Sequence, residues 1–201
     1  MIMLAGTLGA PATSAASITR SLQLSLNSIV FGLGAVQLTT ISNLFGKNKV
    51  SEAIRFSRIA VANMFIVALV LCMLFLALHG YLITIFIDDT ATAEVLSPCL
   101  WLMAAIFFND AMMHTFLAIV LSLNRQALGT VINLVSYYAI SLPLGYWLCF
   151  DKEMGVPGLF LAFLIASIFH NTAFYFLIQS SDWHLVAKEI QKDIENDEAQ
   201  Q

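Results

Sequence analysis

The feature that most constrains this chain is a set of long stretches without any charged side chain. No Asp, Glu, Lys or Arg occurs in residues 21–46, 59–87, 126–150 or 156–180. A transmembrane helix needs about 20 predominantly apolar residues, so each stretch is long enough to cross a bilayer. Hydrophobic residues make up 59% of the chain and charged residues only 11%. This composition excludes a single soluble core and predicts an integral membrane protein with the lipid bilayer as its main partner.

Glycine, proline and charged residues divide the chain into one partial and five full spanning segments. The predicted segments are residues 1–9, 13–39, 55–77, 98–123, 129–150 and 157–178. Residues 80–87 are too few to cross a membrane and are expected near the interface. Pro143 is expected to kink the span 129–150, which contains it. Because none of the spans shows strand alternation, the predicted fold class is an all-α, polytopic membrane helical bundle.

The last 21 residues differ in character from the predicted membrane domain, residues 1–180. Trp183, Val186, Ile190 and Ile194 lie on one helical stripe of residues 181–201, with charged residues elsewhere. This pattern favours an amphipathic tail helix at the membrane interface. A solvated tail with a disordered acidic end is an equally good interpretation.

The distribution of basic residues predicts the orientation of the chain. Seven lie after the second and fourth segments and in the tail: Lys47, Lys49, Arg55, Arg58, Arg125, Lys188 and Lys192. The alternate loops carry Lys152 alone. Short cytoplasmic loops are enriched in Lys and Arg, so we predict a multi-pass protein of the plasma membrane or an endomembrane with a cytoplasmic carboxyl terminus.

Signatures of several other function classes are missing from the sequence. The net charge is −4 and the basic residues are scattered, which argues against a nucleic-acid partner. The three cysteines show no CxxC or Cys/His spacing, so we expect neither a disulfide nor a metal site. No GxSxG, HExxH or GxxxxGK motif is present, and we predict no enzymatic activity and no cofactor. Residues 1–9 lack the basic region of a signal peptide.

Asp110 is the carboxylate that lies deepest in a predicted span, twelve residues after Pro98 and therefore near mid-depth. A charged side chain there costs at least about 2.5 kcal/mol on insertion scales and usually marks an ion or substrate path. A desolvated carboxyl group can load and release a proton as its surroundings change. We predict that Asp110 couples transport to an ion, with a buried structural hydrogen bond as the alternative.

Two histidines accompany polar residues in the spans. His114 lies four residues after Asp110 and so on the same helix face, with Asn109 adjacent to the acid. His114 is predicted to tune or share the proton, or else to bond a neighbouring carbonyl. His170, followed by Asn171, is predicted either to line a cavity or to join helices by a hydrogen bond.

The span 129–150 contributes further polar groups. Asn133, Tyr137 and Tyr138 precede Pro143, and aromatic and amide groups near a flexible point suit an organic-cation site. Ordinary helix packing is the alternative for all three. Arg20, in the second segment, is expected to extend its head group to the interface rather than to pair with Asp110. The predicted substrate-binding set is Asn109, Asn133, Tyr137, Tyr138 and His170.

Several stretches, in the right order, resemble those of eukaryotic multidrug and toxic compound extrusion (MATE) transporters. Residues 39–46, TTISNLFG, resemble the family's TRVSNELGAGN stretch. Asp110 with Gln126 and Gly129 is similar to its D..Q and LRG.G.QK stretch, and residues 137–159 are similar to its YY..G.P.G and GV.GLW run. Residues 181–183, SDW, resemble the TDW that opens the family's tail.

The resemblance implies that the chain is the carboxyl-terminal lobe, helices seven (cut) to twelve, of a twelve-helix antiporter. Such antiporters export organic cations or other xenobiotics in exchange for protons or sodium, and the amino-terminal lobe would be a missing partner. Asp110 matches the family's acidic residue in the tenth helix, whereas its seventh-helix glutamate would fall before Met1. The alternative hypothesis is a diverged half-transporter that acts only as a non-transporting membrane interaction protein.

Overall fold

The protein is a helical bundle in a computed structural model that describes residues 10–86 and 100–198. Its helices are α1 (Ala10–Gly46), α2 (Val50–Phe86), α3 (Leu100–Ser122), α4 (Gln126–Asp151), α5 (Gly155–Ser180) and α6 (Trp183–Glu198). The predicted all-α class is confirmed. The partial segment 1–9 and the predicted helix start at Pro98 lie outside the described residues.

Five helices of the described chain are long and apolar enough to cross a membrane. The spans are Gln23–Gly46, Val50–Leu78, Trp101–Ser122, Gln126–Asp151 and Gly155–Ser180. Each has at least the roughly 20 residues that the hydrocarbon core requires. The prediction of five full spans is therefore confirmed.

Two helices extend beyond their predicted ends. α1 continues to Gly46 instead of ending near Thr39, because Ile41 and Phe45 are fully buried in the next two turns. The predicted third span, residues 55–77, agrees with the observed span Val50–Leu78, although the helix α2 itself continues through Gly80 to Phe86. One glycine costs a helix only about 1 kcal/mol relative to alanine, and the surrounding apolar residues favour continuation in a membrane.

α4 is wider than a regular α-helix on both sides of Pro143. Gln126–Leu134 and Leu142–Tyr146 are α-helical, whereas Val135–Ser141 and Trp147–Asp151 are π-helical. Proline cannot donate an intrahelical hydrogen bond and its ring crowds the preceding turn. Wider turns beside the proline relieve this crowding, and π-helical turns commonly occur at functional sites.

α3 packs against α1, α2 and α5 and is the central helix of the bundle. α1 and α3 run parallel, since Gln23 contacts Asp110 in the middle of α3 and the later residue Leu38 contacts Ser122 at its end. Their close approach depends on Gly34, where an added Cβ would lie 3.3 Å from both Cβ and the carbonyl oxygen of His114. The missing side chain therefore brings α1 directly against the backbone of α3.

One end of the bundle, which we call the basic end, holds the α1–α2 loop, the α3–α4 loop and α6. Its apolar core contains residues from four helices and the α3–α4 loop: Ile41, Phe45, Val50, Ala53, Ile119, Leu123, Val186 and Ala187. Asn48 and Asn124 adopt left-handed backbone conformations at φ 56° and 55° in the two loops. Asparagine tolerates this conformation better than most residues, which allows tight turns after α1 and α3.

α6 packs on the basic end of the bundle. Trp183 stacks on Phe45 at 5.8 Å between ring centroids, and Val186 and Ala187 are each 1% exposed. Gln191 donates hydrogen bonds of 2.9 Å to the carbonyl oxygens of Phe45 and Gly46. These contacts cap carbonyl groups that the last turn of α1 leaves without intrahelical partners.

The tail is helical, as the amphipathic pattern predicted, and its apolar stripe packs on the bundle through Trp183, Val186 and Ile190. Its predicted position at the membrane interface stays a prediction. The acidic end, expected to be disordered, continues as helix to Glu198. An amphipathic pattern predicts that one face is buried, but it does not distinguish a lipid surface from the end of a helical bundle. The division into a membrane domain and a cytoplasmic tail stays a prediction.

Candidate ion-coupling site

Asp110 lies inside the bundle, on the side of α3 that faces α1. Its side chain is 5% exposed. Gln23 Nε2 donates a hydrogen bond of 2.6 Å to Asp110 Oδ2, and Asn27 Nδ2 donates one of 3.2 Å to the same oxygen. Two amide donors on one carboxylate oxygen stabilise the ionised form, whereas burial destabilises it.

The two amides come from α1 and were not singled out from the sequence. Gln23 and Asn27 are four residues apart, so both side chains lie on one face of the helix. This spacing inside a charge-free span was visible in the sequence. That both amides contact Asp110 could not be predicted, because the spacing along α1 does not reveal which face of the helix contacts α3.

Asn27 has one polar atom that the described residues leave without a partner. Its Oδ1 is buried and has no hydrogen-bond partner in the described part of the chain, while its Nδ2 contacts Asp110. A buried acceptor without a donor costs about 1–3 kcal/mol. The second half of this amide is therefore available to a donor close to the carboxylate.

His114 lies one turn beyond Asp110 on α3. Its ring meets Phe31 of α1 edge-on, with 5.7 Å between centroids, and its backbone contacts Gly34. His114 is thus placed at the α1–α3 contact, one turn from the acid. Its proposed share in ion coupling stays a prediction.

Asn109 points to a different neighbour from Asp110. Its Nδ2 donates to the carbonyl of Ala105 at 3.0 Å, and its own carbonyl oxygen accepts a bond of 2.9 Å from Asn171 Nδ2 of α5. Asn109 and Asn171 therefore join α3 to α5. The sequence offered two roles for His170 and Asn171, lining a cavity or joining helices by a hydrogen bond, and Asn171 forms such an interhelical bond.

Tyr137 and His170 form a second polar and aromatic group inside the bundle. Tyr137 stacks on Phe163 and lies 5.6 Å from the His170 ring, and its hydroxyl is 3.6 Å from the sulfur of Met113. His170 is 1% exposed, and its ring nitrogens form no hydrogen bond of regular geometry among the described residues, although the Asn171 side chain is close enough to interact with the ring. Met113 follows Asp110 by three residues on α3, so Tyr137 lies within one helical turn of the acid along that helix.

The remaining predicted substrate residues lie on α4. Tyr138 is 67% exposed on the outer side of the helix, so the structure separates it from its neighbour Tyr137. Asn133 is half-buried, one turn before Tyr137. The structure thus groups Asp110 with the α1 amides and Tyr137 with His170, and it places Tyr138 on the surface of the bundle. None of these positions by itself assigns substrate contact.

Three other residues, two cysteines and Arg20, have no described contact with this site. Cys72 and Cys149 are buried free cysteines, and Cys72 lies 3.3 Å from the carbonyl oxygen of Ala104. The structure does not describe the side chain of Arg20. The expectation that its head group extends to the interface stays a prediction.

Comparison with known proteins identifies the family. The MatE family model matches residues 1–147. The chain belongs to the MatE family. This confirms the resemblance drawn from the sequence motifs, and it agrees with the expectation that the chain is not an enzyme. With five apolar spans, the chain is a multi-pass membrane protein.

Individual relatives match most of this chain. Multidrug and toxin extrusion protein 1 of Rattus norvegicus is 26% identical over 188 residues, which cover 94% of this chain and 33% of that protein. Protein DETOXIFICATION 25 of Arabidopsis thaliana is 27% identical over 162 residues, covering 80% of this chain and 32% of that protein. The chain thus spans about a third of the length of these relatives.

A solved structure shows the same fold. The crystal structure of the eukaryotic MATE transporter AtDTX14 superimposes with a TM-score of 0.86 at 20% sequence identity. The match covers 90% of this chain and 41% of that chain. The described bundle therefore has the fold of part of a MATE transporter.

Proposed function

We propose that this chain is the carboxyl-terminal lobe of a secondary antiporter that exports organic cations or other xenobiotics in exchange for protons. Family membership and the shared fold support a transport role. The relatives' names, multidrug and toxin extrusion protein, support a xenobiotic substrate. Asp110 is the proposed coupling residue, and sodium is the alternative coupling ion.

The burial of Asp110 with two amide donors is the observation that carries this proposal. A carboxyl group at 5% exposure inside a membrane span is expensive to maintain unless it is bonded or used. Gln23 and Asn27 lower the free energy of the ionised form, and removal from water raises it. A change in hydration or helix contact shifts the balance between these two effects, and such a shift is the proposed means of loading and releasing a proton.

Exchange of substrate for protons follows from this balance. A bound cation stabilises the ionised carboxylate electrostatically, and a bound proton removes that stabilisation. Proton binding therefore favours release of a cationic substrate, and cation binding favours release of the proton. Asn109, Asn133, Tyr137, Tyr138 and His170 are the proposed substrate contacts, and His114 the proposed second residue for ion coupling.

Transport requires a second lobe in this proposal. Alternating access moves two repeats about a shared central site, so a single lobe is not expected to transport. The proposed partner is an amino-terminal lobe in the same membrane, with the carboxyl terminus of this chain in the cytoplasm. The exposed Tyr138 would then face either this lobe or lipid.

Asp110→Asn tests the coupling role. The variant keeps the size of the side chain but cannot become charged, so we expect efflux driven by a pH gradient to fall at least about 100-fold, the effect of losing an essential proton-transfer group. The measurement is efflux of a fluorescent organic cation from vesicles that contain the full product of the coding sequence. Asp182→Asn is the matched control, because Asp182 is an exposed carboxylate that begins α6 and asparagine caps a helix equally well.

Two further measurements separate the alternatives. An imposed sodium gradient that drives efflux in place of the pH gradient would assign sodium as the coupling ion. Wild-type vesicles with no efflux under either gradient, at confirmed expression and folding, would favour the non-transporting interaction protein. Unchanged pH-driven efflux in Asp110→Asn would remove Asp110 from the coupling role.

A further inference from the structure

We propose that Asn27 binds both protonation states of Asp110 by exchanging the two ends of its amide. In the structure the donor end faces the carboxylate, with Nδ2 3.2 Å from Oδ2. The acceptor end, Oδ1, is buried and has no partner among the described residues. The inference rests on the proposed function in one respect, since it requires Asp110 to change protonation state.

The hydrogen-bond requirements of Asp110 change when it binds a proton. The ionised carboxylate accepts hydrogen bonds and donates none, whereas the protonated group has one O–H that needs an acceptor. The described neighbours on α1 offer donors to the ionised form through Gln23 Nε2 and Asn27 Nδ2. A half-turn of the Asn27 amide about its last torsion replaces the nitrogen with an oxygen at nearly the same position.

This rotation would provide the acceptor that the new O–H requires. The proton moves from water to a carboxylate oxygen, and no covalent bond other than O–H forms. Asn27 Oδ1 then accepts this O–H, and the amide nitrogen takes the position that Oδ1 left. Protonated Asp110 consequently stays hydrogen-bonded inside the bundle, where an unbonded O–H would cost about 1–3 kcal/mol.

Gln23 has a different part in this arrangement. Its bond to Asp110 is the shorter one, at 2.6 Å, as expected for an amide that donates to a charged oxygen. A neutral carboxyl oxygen is a weaker acceptor than a carboxylate. Protonation therefore weakens the hold of Asp110 on Gln23 while the link to Asn27 persists, which loosens α1 from α3 one turn before Asn27.

Other ionisable groups surround this pair and belong to its electrostatic environment. Tyr137 of α4 is close enough to interact with the charge of Asp110. His170 of α5 lies beyond it, at 5.6 Å from the Tyr137 ring. His114 is one turn along α3 from the acid itself. The two α1 amides, Gln23 Nε2 and Asn27 Nδ2, donate hydrogen bonds to the carboxylate itself.

Infrared difference spectroscopy on the purified, reconstituted protein tests this role without requiring transport. The C=O stretch of protonated Asp110, assigned by its loss in Asp110→Asn, reports whether the acid's O–H is bonded. We expect Asn27→Leu to shift this band to the position of a carboxylic acid without a hydrogen-bond acceptor. Asn27→Ser should restore the wild-type position at least partly, because a hydroxyl group both donates and accepts.

Thr115→Val is the matched control for loss of a buried polar group. Thr115 is fully buried on α3, and its Oγ1 has no partner among the described residues. We expect this variant to leave the Asp110 band unchanged. A wild-type band in Asn27→Leu would overturn the inference, and so would an equal shift in Thr115→Val.

Efflux measurements distinguish failure of this inference from failure of the proposed function. With proton coupling, we expect Asn27→Leu to reduce pH-driven efflux about ten-fold, the effect of losing one hydrogen bond, and Asn27→Ser to recover part of it. Normal efflux and a wild-type band in Asn27→Leu would reject the rotation of the Asn27 amide and leave the coupling role of Asp110 intact. If Asn27→Leu shifts the band but the wild-type protein shows no efflux, the result would support the amide rotation and reject the transport proposal.

Discussion

Two glycines of α1 differ in what a side chain at each position would contact. An added Cβ at Gly34 would lie 3.3 Å from His114, whereas one at Gly32 would meet nothing within 4 Å. We expect Gly34→Val to destabilise the bundle by about 1–3 kcal/mol, as other overpacking substitutions do. Gly32→Val is the matched control and should change stability by less than about 0.5 kcal/mol, because valine has a slightly better helix propensity than glycine.

The melting temperature of the detergent-solubilised protein measures this difference. We expect a lower melting temperature for Gly34→Val and a nearly unchanged one for Gly32→Val. Equal melting temperatures for the two variants would mean that α1 and α3 separate enough to accept a side chain at Gly34. The close contact beside the candidate site would then be less rigid than the structure indicates.

The position of Asp110 inside a span could be predicted from the sequence, because membrane depth follows from position along a helix, and the structure shows it buried. Its partners could not be predicted, since Gln23 is 87 residues away in the chain. Tyr137 and Tyr138 also show that the sequence does not reveal which side of a helix faces the interior of the bundle. Adjacent residues on a helix point about 100° apart, so only the packing of α4 determines that Tyr137 is inside and Tyr138 is 67% exposed.

At the scale of helices, Gln191 links the last turn of α1 to α6. It donates two hydrogen bonds of 2.9 Å to carbonyl oxygens of α1. We expect Gln191→Ala to raise the exchange rate of the α6 backbone amides by about ten-fold or more, because each lost bond contributes about 0.5–1.5 kcal/mol to docking. Hydrogen exchange with mass spectrometry is the measurement.

Gln179→Ala provides the comparison for this substitution. Gln179 is an exposed residue of α5, so the same chemical change there should leave exchange in α6 unaltered. Unchanged exchange in Gln191→Ala would show that the apolar contacts of Val186 and Ala187 hold α6 in place without the caps. The stacked pair Phe45–Trp183 would then be the next contact to remove.

The spanning helices could be predicted from long apolar stretches and α6 from its amphipathic stripe, whereas the ends of the helices depended on contacts elsewhere. α2 continues through Gly80 because the membrane favours backbone hydrogen bonds within the helix. Pro143 predicts a local disturbance of α4, but the lengths of the π-helical turns on its two sides do not follow from the sequence. The predicted kink at this residue stays a prediction.

Across the whole molecule, the basic residues that predict orientation collect at one end. The α1–α2 loop, the α3–α4 loop and α6 share one apolar core at the basic end. Lys152 follows α4, which crosses from Gln126 at the basic end to Asp151 at the opposite end. The basic residues of the α1–α2 loop, the α3–α4 loop and α6 were counted one by one in the sequence. The structure places them on the same side of the bundle.

Orientation in the membrane can be tested with single cysteines at opposite ends of the bundle. In a protein whose native cysteines are replaced by alanine, we expect Lys152→Cys to react with an impermeant maleimide applied to intact cells or, in an endomembrane, to the lumenal side. Lys47→Cys should react only from the cytoplasmic side, because short basic loops are retained there. Both residues are exposed, so accessibility is set by the membrane and not by packing. The reverse labelling pattern would place the carboxyl terminus outside the cytoplasm.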